Sequence, residues 1–338
     1  MTYRMPAEWE PHEGTWLAWP HERSDWPGKF PQIPWVYCDI VKRLARVERV
    51  HVLVADGEVE RKVAGLLKKN AVELGAVDFF HAATDRSWTR DYCPIFAKAD
   101  SGSTVVLNWR FNGWAKYDNW KTDDAISSKI AQKLRAPDVK PLLDGRRIVL
   151  EGGSIDVNGQ GKLLTTEECL LSPIQARNPG MGRVELERVF AEFLGITETI
   201  WLKNGIAGDD THGHVDDLAR FTDAGTVVIA VERDRGDANY EPTRENLRLL
   251  KQRKDLRVVT LPMPEPIYFN GQRLPASYAN FYIANRLVLV PTFNDRSDRV
   301  ALTTLGKLFP DREVLGIHCG DLVLGLGTLH CMTQQQIA

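Results

Sequence analysis

Val59-Glu60-Arg61-Lys62-Val63-Ala64-Gly65-Leu66-Leu67-Lys68-Lys69-Asn70-Ala71-Val72-Glu73-Leu74 sets apolar residues three and four positions apart among charged ones, the spacing of one buried helical face. Working outward, the same period returns over 124–134, 183–193, 243–252 and 300–309, so successive helix starts differ by 65, 59, 60 and 57 residues. No residue identities repeat, but the near-regular spacing predicts about five similar modules. One further helix is predicted at 35–46. Short strand-like runs fill the gaps, at 50–55, 105–109, 147–150, 162–165, 197–202, 226–230, 282–284, 287–290 and 313–316. Units of two or three strands and one helix, closing about an axis, give a radial α/β assembly. An ordinary α/β chain with similar helix intervals is the plainer alternative. A dinucleotide fold is disfavoured, because no GxGxxG follows a strand and Gly325-Leu326-Gly327 precedes Cys331 without opening a helix.

With 338 residues, 43% hydrophobic and 26% charged, the chain can bury a large core. Its 43 basic and 45 acidic residues are interspersed, so neither a nucleic-acid nor a membrane partner is expected. Residues 1–20 lack the basic start and apolar centre of a signal peptide and are expected to belong to the folded protein. The five cysteines, Cys38, Cys93, Cys169, Cys319 and Cys331, are odd in number and contain no CxxC, which suits a reducing, cytoplasmic setting. Each is then a small buried residue or a reactive thiol. Composition leaves a homo-oligomer open.

Four stretches combine titratable residues with glycine, tryptophan or proline where loops should lie. They are Ser87-Trp88-Thr89-Arg90-Asp91-Tyr92-Cys93-Pro94, Glu151-Gly152-Gly153-Ser154, His212-Gly213-His214-Val215-Asp216-Asp217 and Gly325-Leu326-Gly327-Thr328-Leu329-His330-Cys331. Each falls in a different module, and loops at one end of a radial fold converge on one pocket. His214 and Asp216 are two apart, so an extended segment would point both the same way. A solvated strand face would show the same alternation. A neutral imidazole can take a proton from a thiol and return one to a leaving nitrogen. Asp91 reads as a turn former unless a second carboxylate faces it. Asp216 is the candidate, since two carboxylates can grip a planar guanidinium in bidentate fashion. Trp88 either stacks on that cation or packs in the core. Glu151 is expected to end the strand of Ile148, Val149 and Leu150, either as a surface acid or as the group that accepts a hydrogen bond from His214. Cys331 follows a glycine-rich approach near the end of the chain, which suits a reactive thiol better than inert packing.

A metal reading competes, because His212-x-His214-x-Asp216 opens like an HxHxDH ligand run. The run breaks at Asp217, and only His318 and His330 remain downstream as further histidine ligands.

Taken together, these stretches resemble the agmatine deiminase and bacterial peptidyl-arginine deiminase family. The likeness runs from Met5-Pro6-Ala7-Glu8-Trp9-Glu10-Pro11-His12 through Phe111-Asn112-Gly113-Trp114, Leu163-Leu164-Thr165-Thr166-Glu167-Glu168-Cys169-Leu170-Leu171 and Arg177-Asn178-Pro179 to His330-Cys331-Met332-Thr333-Gln334-Gln335-Gln336. The resemblance implies a single deiminase domain over 1–338, folded as a five-bladed α/β propeller of ββαβ modules with pseudo-fivefold symmetry, the pentein fold. It implies Cys331 as nucleophile, His214 as acid and base, Asp91 and Asp216 as the guanidinium clamp, and Glu151 as the assistant of His214. It implies no cofactor and no metal. The substrate would be a small guanidinium compound, agmatine foremost, with Trp88 and Trp114 beside it; Trp9, Trp16 and Trp120 are further candidates for its tail. Two departures from the agmatine branch, Leu326 with Thr328 and Tyr92 with Cys93, leave peptidyl arginine or another alkylguanidine open.

Overall fold

Asp56 decides where the opening stretch begins to coil. In the computed structural model, which describes residues 3–338, its carboxylate accepts from Glu58 N at 2.8 Å and Val59 N at 3.0 Å. The helix therefore starts at Gly57, two residues before the first apolar position, and runs Gly57–Lys69. Glu58 and Glu60 lie in its first turn and Lys68 and Lys69 in its last, each favourable to the helix dipole. Val63 and Leu67 are its buried residues. Ala71, at φ 56°, breaks the helical path, so the predicted helix ends five residues early.

The remaining predicted helices appear as Ile33–Leu44, Ile126–Leu134, Arg183–Leu194, Tyr240–Lys251 and Asp298–Leu308. Around them the described residues form five sheets of three or four strands, plus two two-stranded ribbons. All five sheets share one pattern: an antiparallel pair, then a helix that carries the chain to a third, parallel strand. Ala219–Asp223 pairs antiparallel with Thr226–Val231, and helix Tyr240–Lys251 crosses to the parallel Arg257–Pro262. Tyr282–Ala284, Leu287–Thr292 and Glu313–His318 repeat this around helix Asp298–Leu308. Asp156–Val157, Lys162–Thr166 and Glu198–Leu202 repeat it around helix Arg183–Leu194. Ile95–Ala99, Thr104–Leu107 and Asp138–Val139 do so around Ile126–Leu134, with Tyr3–Arg4 added at the edge. The fifth sheet joins the two ends of the chain, with Gln334–Ile337 antiparallel to His12–Ala18, followed by the parallel Arg49–Val54 and Val77–His81.

Strand 147–150 does not form as predicted. Arg146–Arg147 makes a short ribbon with Leu142–Leu143, and beyond it only an isolated bridge joins Val149 to Arg110. Asn178 takes the place of a partner strand: its amide donates to Val149 O at 2.8 Å and accepts from Val149 N at 3.0 Å. No helix among the described residues is long and apolar enough to cross a membrane. The first two residues of the amino-terminal stretch, Met1 and Thr2, lie outside the described residues.

Candidate active site

The chain enters the first strand of each sheet through a short turn, and those turns carry the polar residues. Helix Thr89–Tyr92 holds Asp91 ahead of Ile95–Ala99. Glu151 leads into the turn Gly152–Ser154 ahead of Asp156–Val157. His214 leads into the turn Val215–Asp217 ahead of Ala219–Asp223. Asn280 precedes Tyr282–Ala284, and Cys331 precedes Gln334–Ile337. His214 and Asp216 are thus presented by a tight turn, which corrects the extended segment expected from their spacing.

Asp91, His214, Asp216 and Cys331 come together, all buried. The Cys331 Sγ lies 3.7 Å from Asp216 Oδ2. His214 Nδ1 lies 3.8 Å from Asp91 Oδ1 and 4.0 Å from Asp216 Oδ1. These ring contacts exceed hydrogen-bond length, and both His214 nitrogens and Asp216 Oδ1 lack a partner among the described residues. Buried polar atoms are seldom left so in a finished interior, so the orphaned His214 Nδ1 and Asp216 Oδ1, 4.0 Å apart, mark a place for a ligand. Asp91 is oriented by its surroundings: Trp114 Nε1 donates to Oδ2 at 2.9 Å and Gly153 N to Oδ1 at 3.1 Å. Gly153 has to be glycine, since a Cβ there would lie 2.6 Å from His214 Nδ1 and 2.9 Å from Asp91 Oδ1.

Crowded acids set the charge states. Burial, reinforced by Asp216 and Glu151 against the opposing His214, pushes Asp91 up to about 6. Burial and then Asp216, Asp217 and Asp91 hold the Cys331 thiol well above its usual range. Burial works against charge on His214, but Asp91, Cys169 and Glu151 outweigh it and hold the imidazole well above its ordinary value. Burial opposes charge on Asp216 too, yet His330 keeps it below the usual carboxylate range. Asp217 moves the other way, raised by burial and by Asp216.

Glu151 stands behind His214, its Oε2 3.7 Å from Nε2, so the expected short hydrogen bond is not made. Its partner is Arg177, whose Nε donates to both oxygens at 3.0 and 3.2 Å. Burial opposes that charge, but Arg177 and then His214 bring Glu151 down to about 2.

A cavity of about 410 Å³ opens above Cys331 and Asp91. Trp88, Trp114, Leu326 and Gly327 are among the residues that line it. Of the other tryptophans considered, Trp9, Trp16 and Trp120 are not in the lining. The less buried part of the lining, here its mouth, includes Arg86, Tyr117 and Asp210, with the buried Asp25 beside Arg86. Arg86 pairs with Asp25 and lies 4.2 Å over the Tyr117 ring, while Asp210 accepts from Lys116 and from Tyr117 Oη. Leu326 therefore bears on the cavity directly, and Tyr92 indirectly through the hydrogen bond of its hydroxyl to Arg86 O at 2.8 Å.

His212 turns away from the cluster, its Nε2 3.1 Å from Ser172 Oγ, so the HxHxD run does not converge as a ligand set. Two other groups bring three ligand atoms within 4.8 Å of one another: Glu151, Cys169 and His214, and Asp216, Asp217 and Cys331. The first has its carboxylate committed to Arg177.

Asn280 touches the nucleophile and was missed by the sequence reading. Its Nδ2 donates to Cys331 Sγ at 3.1 Å and to Asp217 Oδ1 at 2.9 Å. Its Oδ1 accepts from Thr328 Oγ1 at 2.7 Å and His330 N at 3.0 Å, fixing the cysteine loop. The available signal was an asparagine inside the apolar run Tyr278-Ala279-Asn280-Phe281-Tyr282, in the one module to which no polar stretch had been assigned.

Known proteins resemble this chain along nearly its whole length. An agmatine deiminase of Pseudomonas aeruginosa is 34% identical over 364 aligned positions, covering 99% of this chain and 96% of that protein. The structure of Campylobacter jejuni agmatine deiminase with substrate bound superposes with a TM-score of 0.89 at 30% identity, covering 100% of this chain and 97% of that one. Agmatine deiminase of Enterococcus faecalis gives a TM-score of 0.89 at 30% identity over 99% of this chain and 95% of that one. Residues 4–336 match the family description, and the chain belongs to the Porphyromonas-type peptidyl-arginine deiminase family.

Proposed function

We propose that this protein hydrolyses the guanidinium group of agmatine to N-carbamoylputrescine and ammonia, with Cys331 as nucleophile and His214 as acid and base. The observation that carries the reading is the meeting of a buried thiol, two carboxylates and an imidazole with both nitrogens unpartnered, the thiol and Asp91 lining one cavity. Asp91 and Asp216 grip the planar cation through its N–H groups, turning its carbon toward the sulfur. The arriving positive charge offsets the carboxylates that keep the thiol protonated, so the thiol releases its proton to solvent as substrate enters and the thiolate forms beside the His214 imidazolium. Sulfur bonds to the guanidinium carbon, the His214 imidazolium gives its proton to a departing amino group, and ammonia leaves a thiouronium on Cys331. Water then loses a proton to the neutral imidazole and adds to the same carbon, and the C–S bond breaks to release the ureido product. Glu151, held by Arg177, supports the charge that His214 carries in the first half. No metal or cofactor enters this sequence.

Beyond the clamp, Asp25 is paired with Arg86, while Asp210, held by Lys116 and Tyr117, is the lining carboxylate we assign to a second cation at the substrate's tail. Peptidyl arginine or another alkylguanidine is the alternative. We further infer that the five like-patterned sheets close as a five-bladed propeller in a single domain, since the strands at both chain ends pair in one sheet and the entry turns meet at one cluster. The unpaired, buried cysteines suit a cytoplasmic setting.

The test is release of ammonia and ureido product from agmatine, free arginine and an arginine peptide, with chelator present. Turnover of agmatine alone is the expected result. Turnover of the peptide in preference to agmatine would transfer the assignment to the alternative.

A further inference from the structure

Behind Asp216 runs a chain of buried charges that the reaction sequence above leaves unused. His330 Nδ1 lies 2.7 Å from Asp216 Oδ2, and His330 Nε2 lies 2.8 Å from Glu8 Oε2. Glu8 also accepts from Arg90 at 3.0 Å, from Arg220 at 3.0 Å and from Ile283 N at 2.8 Å. Arg220 continues to Asp156. The side chains of all these residues are at most 8% exposed.

We propose that Glu8 and His330 are positioning residues for the deimination, forming a relay that holds Asp216 by Oδ2 and so aims Oδ1 at the guanidinium. This rests on the reading of Asp216 as half of the guanidinium clamp. Three observations carry it. Asp216 Oδ2 is engaged while Oδ1, on the side of His214, is unpartnered. His330 spans two buried carboxylates, its Nδ1 on Asp216 and its Nε2 on Glu8, so the ring ties one to the other. The relay also reaches the other half of the clamp: Arg90 adjoins Asp91 in one helical turn, and its N and Nε donate to Cys331 O at 3.1 Å and His330 O at 3.3 Å. Glu8 thereby joins Asp216, the Asp91 turn and the cysteine loop at a single carboxylate. A buried ionic chain is a poor source of stability compared with apolar packing, so its presence beside the floor of the cavity favours a functional role.

Asp216 is faced by His330, His214, Cys331, Asp91, Asp217 and Arg220. Of these, His330 is the largest influence keeping it ionised. Removing it therefore raises the pH at which Asp216 takes a proton.

The experiment compares His330→Gln and Glu8→Gln with Asp216→Asn and wild type. It follows kcat and KM for agmatine against pH, binding of agmatine in the Cys331→Ala background, and Tm. Loss of a hydrogen bond to a charged group predicts a rise in KM and in the dissociation constant of about ten- to a hundredfold for His330→Gln. The acid limb of kcat/KM should move to higher pH and steepen as Asp216 titrates beside Asp91. Glu8→Gln, which keeps the size and an acceptor, should move both in the same direction by less, and it carries the test if His330→Gln fails to fold. A fall in kcat and Tm with KM and the acid limb unmoved in the folded variant would make the relay merely structural and overturn the proposal. Wild-type affinity in Asp216→Asn, or no turnover of guanidinium compounds by wild type, would instead overturn the clamp reading, and the relay with it.

Discussion

The floor and the mouth of the cavity are built on different terms. At the floor, backbone and deeply buried partners hold the side chains. Gly153 N and Trp114 fix Asp91, Asn280 ties the cysteine loop, and Arg177 grips Glu151 from both oxygens. At the mouth, Arg86, Tyr117, Asp210 and Lys116 hold one another side chain to side chain, Arg86 also pairs with the buried Asp25, and Lys116 is 41% exposed. Reaction chemistry is thus attached to the entry turns of the fold, and recognition of the tail to a belt that substitution can alter without disturbing those turns. Floor changes should act on kcat, on the grip of the guanidinium and on the pH dependence of both, and mouth changes on KM alone.

The largest effect expected is at the sulfur. Cys331→Ala should lower kcat on the order of 10⁴-fold or more in steady-state assays while leaving the fold in place. Next is Gly153→Ala, whose added methyl must displace His214 or Asp91. Its kcat/KM should fall about 100-fold from misplacement of the reacting groups, with a loss of stability of about 1–3 kcal/mol read from denaturant unfolding.

The pH profile gives a third and gentler probe. Asp91 is pushed up to about 6 by burial, so the clamp loses its charge as pH falls through that value. The acid limb of kcat/KM should have its midpoint near 6, about two units above an ordinary aspartate. Trp114→Phe removes a donor that favours the ionised form, and should move that midpoint upward. A midpoint near 4 in wild type would mean that the floor is wetter than described.

The smallest effect belongs to the mouth. Asp210→Asn should raise KM for agmatine by no more than about fivefold, the range of a partly exposed ion pair, with kcat unchanged. A neutral-tailed alkylguanidine should be insensitive to it. An equal loss of kcat for both would erase the distinction between floor and mouth.

The legibility of the sequence follows the same division. Helices with a continuous apolar face, such as Arg183–Leu194, were placed almost to the residue, and the near-60-residue spacing of helices reflects the repeated pairing pattern of the sheets. Strands His12–Ala18 and Gln334–Ile337 were missed because histidine, glutamate, glycine and glutamines do not alternate as a half-buried strand should. His12–Ala18 is buried between two strands and Gln334–Ile337 is the edge strand beside it, and their polar side chains find partners, as where Trp16 Nε1 donates to Gln336. Ile148, Val149 and Leu150 misled in the opposite sense: an apolar run was read as a strand where Asn178 caps the backbone instead. In the site, glycine-flanked acids, histidine and cysteine stood out. Asn280, His330 and Glu8 did not, because their roles lie in contacts between modules some 48 to 322 residues apart.

The central claim, covalent chemistry at Cys331, is tested most directly by acid-quenching the enzyme during turnover of agmatine and mapping modified cysteines by peptide mass spectrometry. The account predicts the thiouronium adduct on Cys331 and on none of Cys38, Cys93, Cys169 or Cys319. Turnover with Cys331 unmodified throughout, or an adduct on Cys169 beside His214, would contradict it.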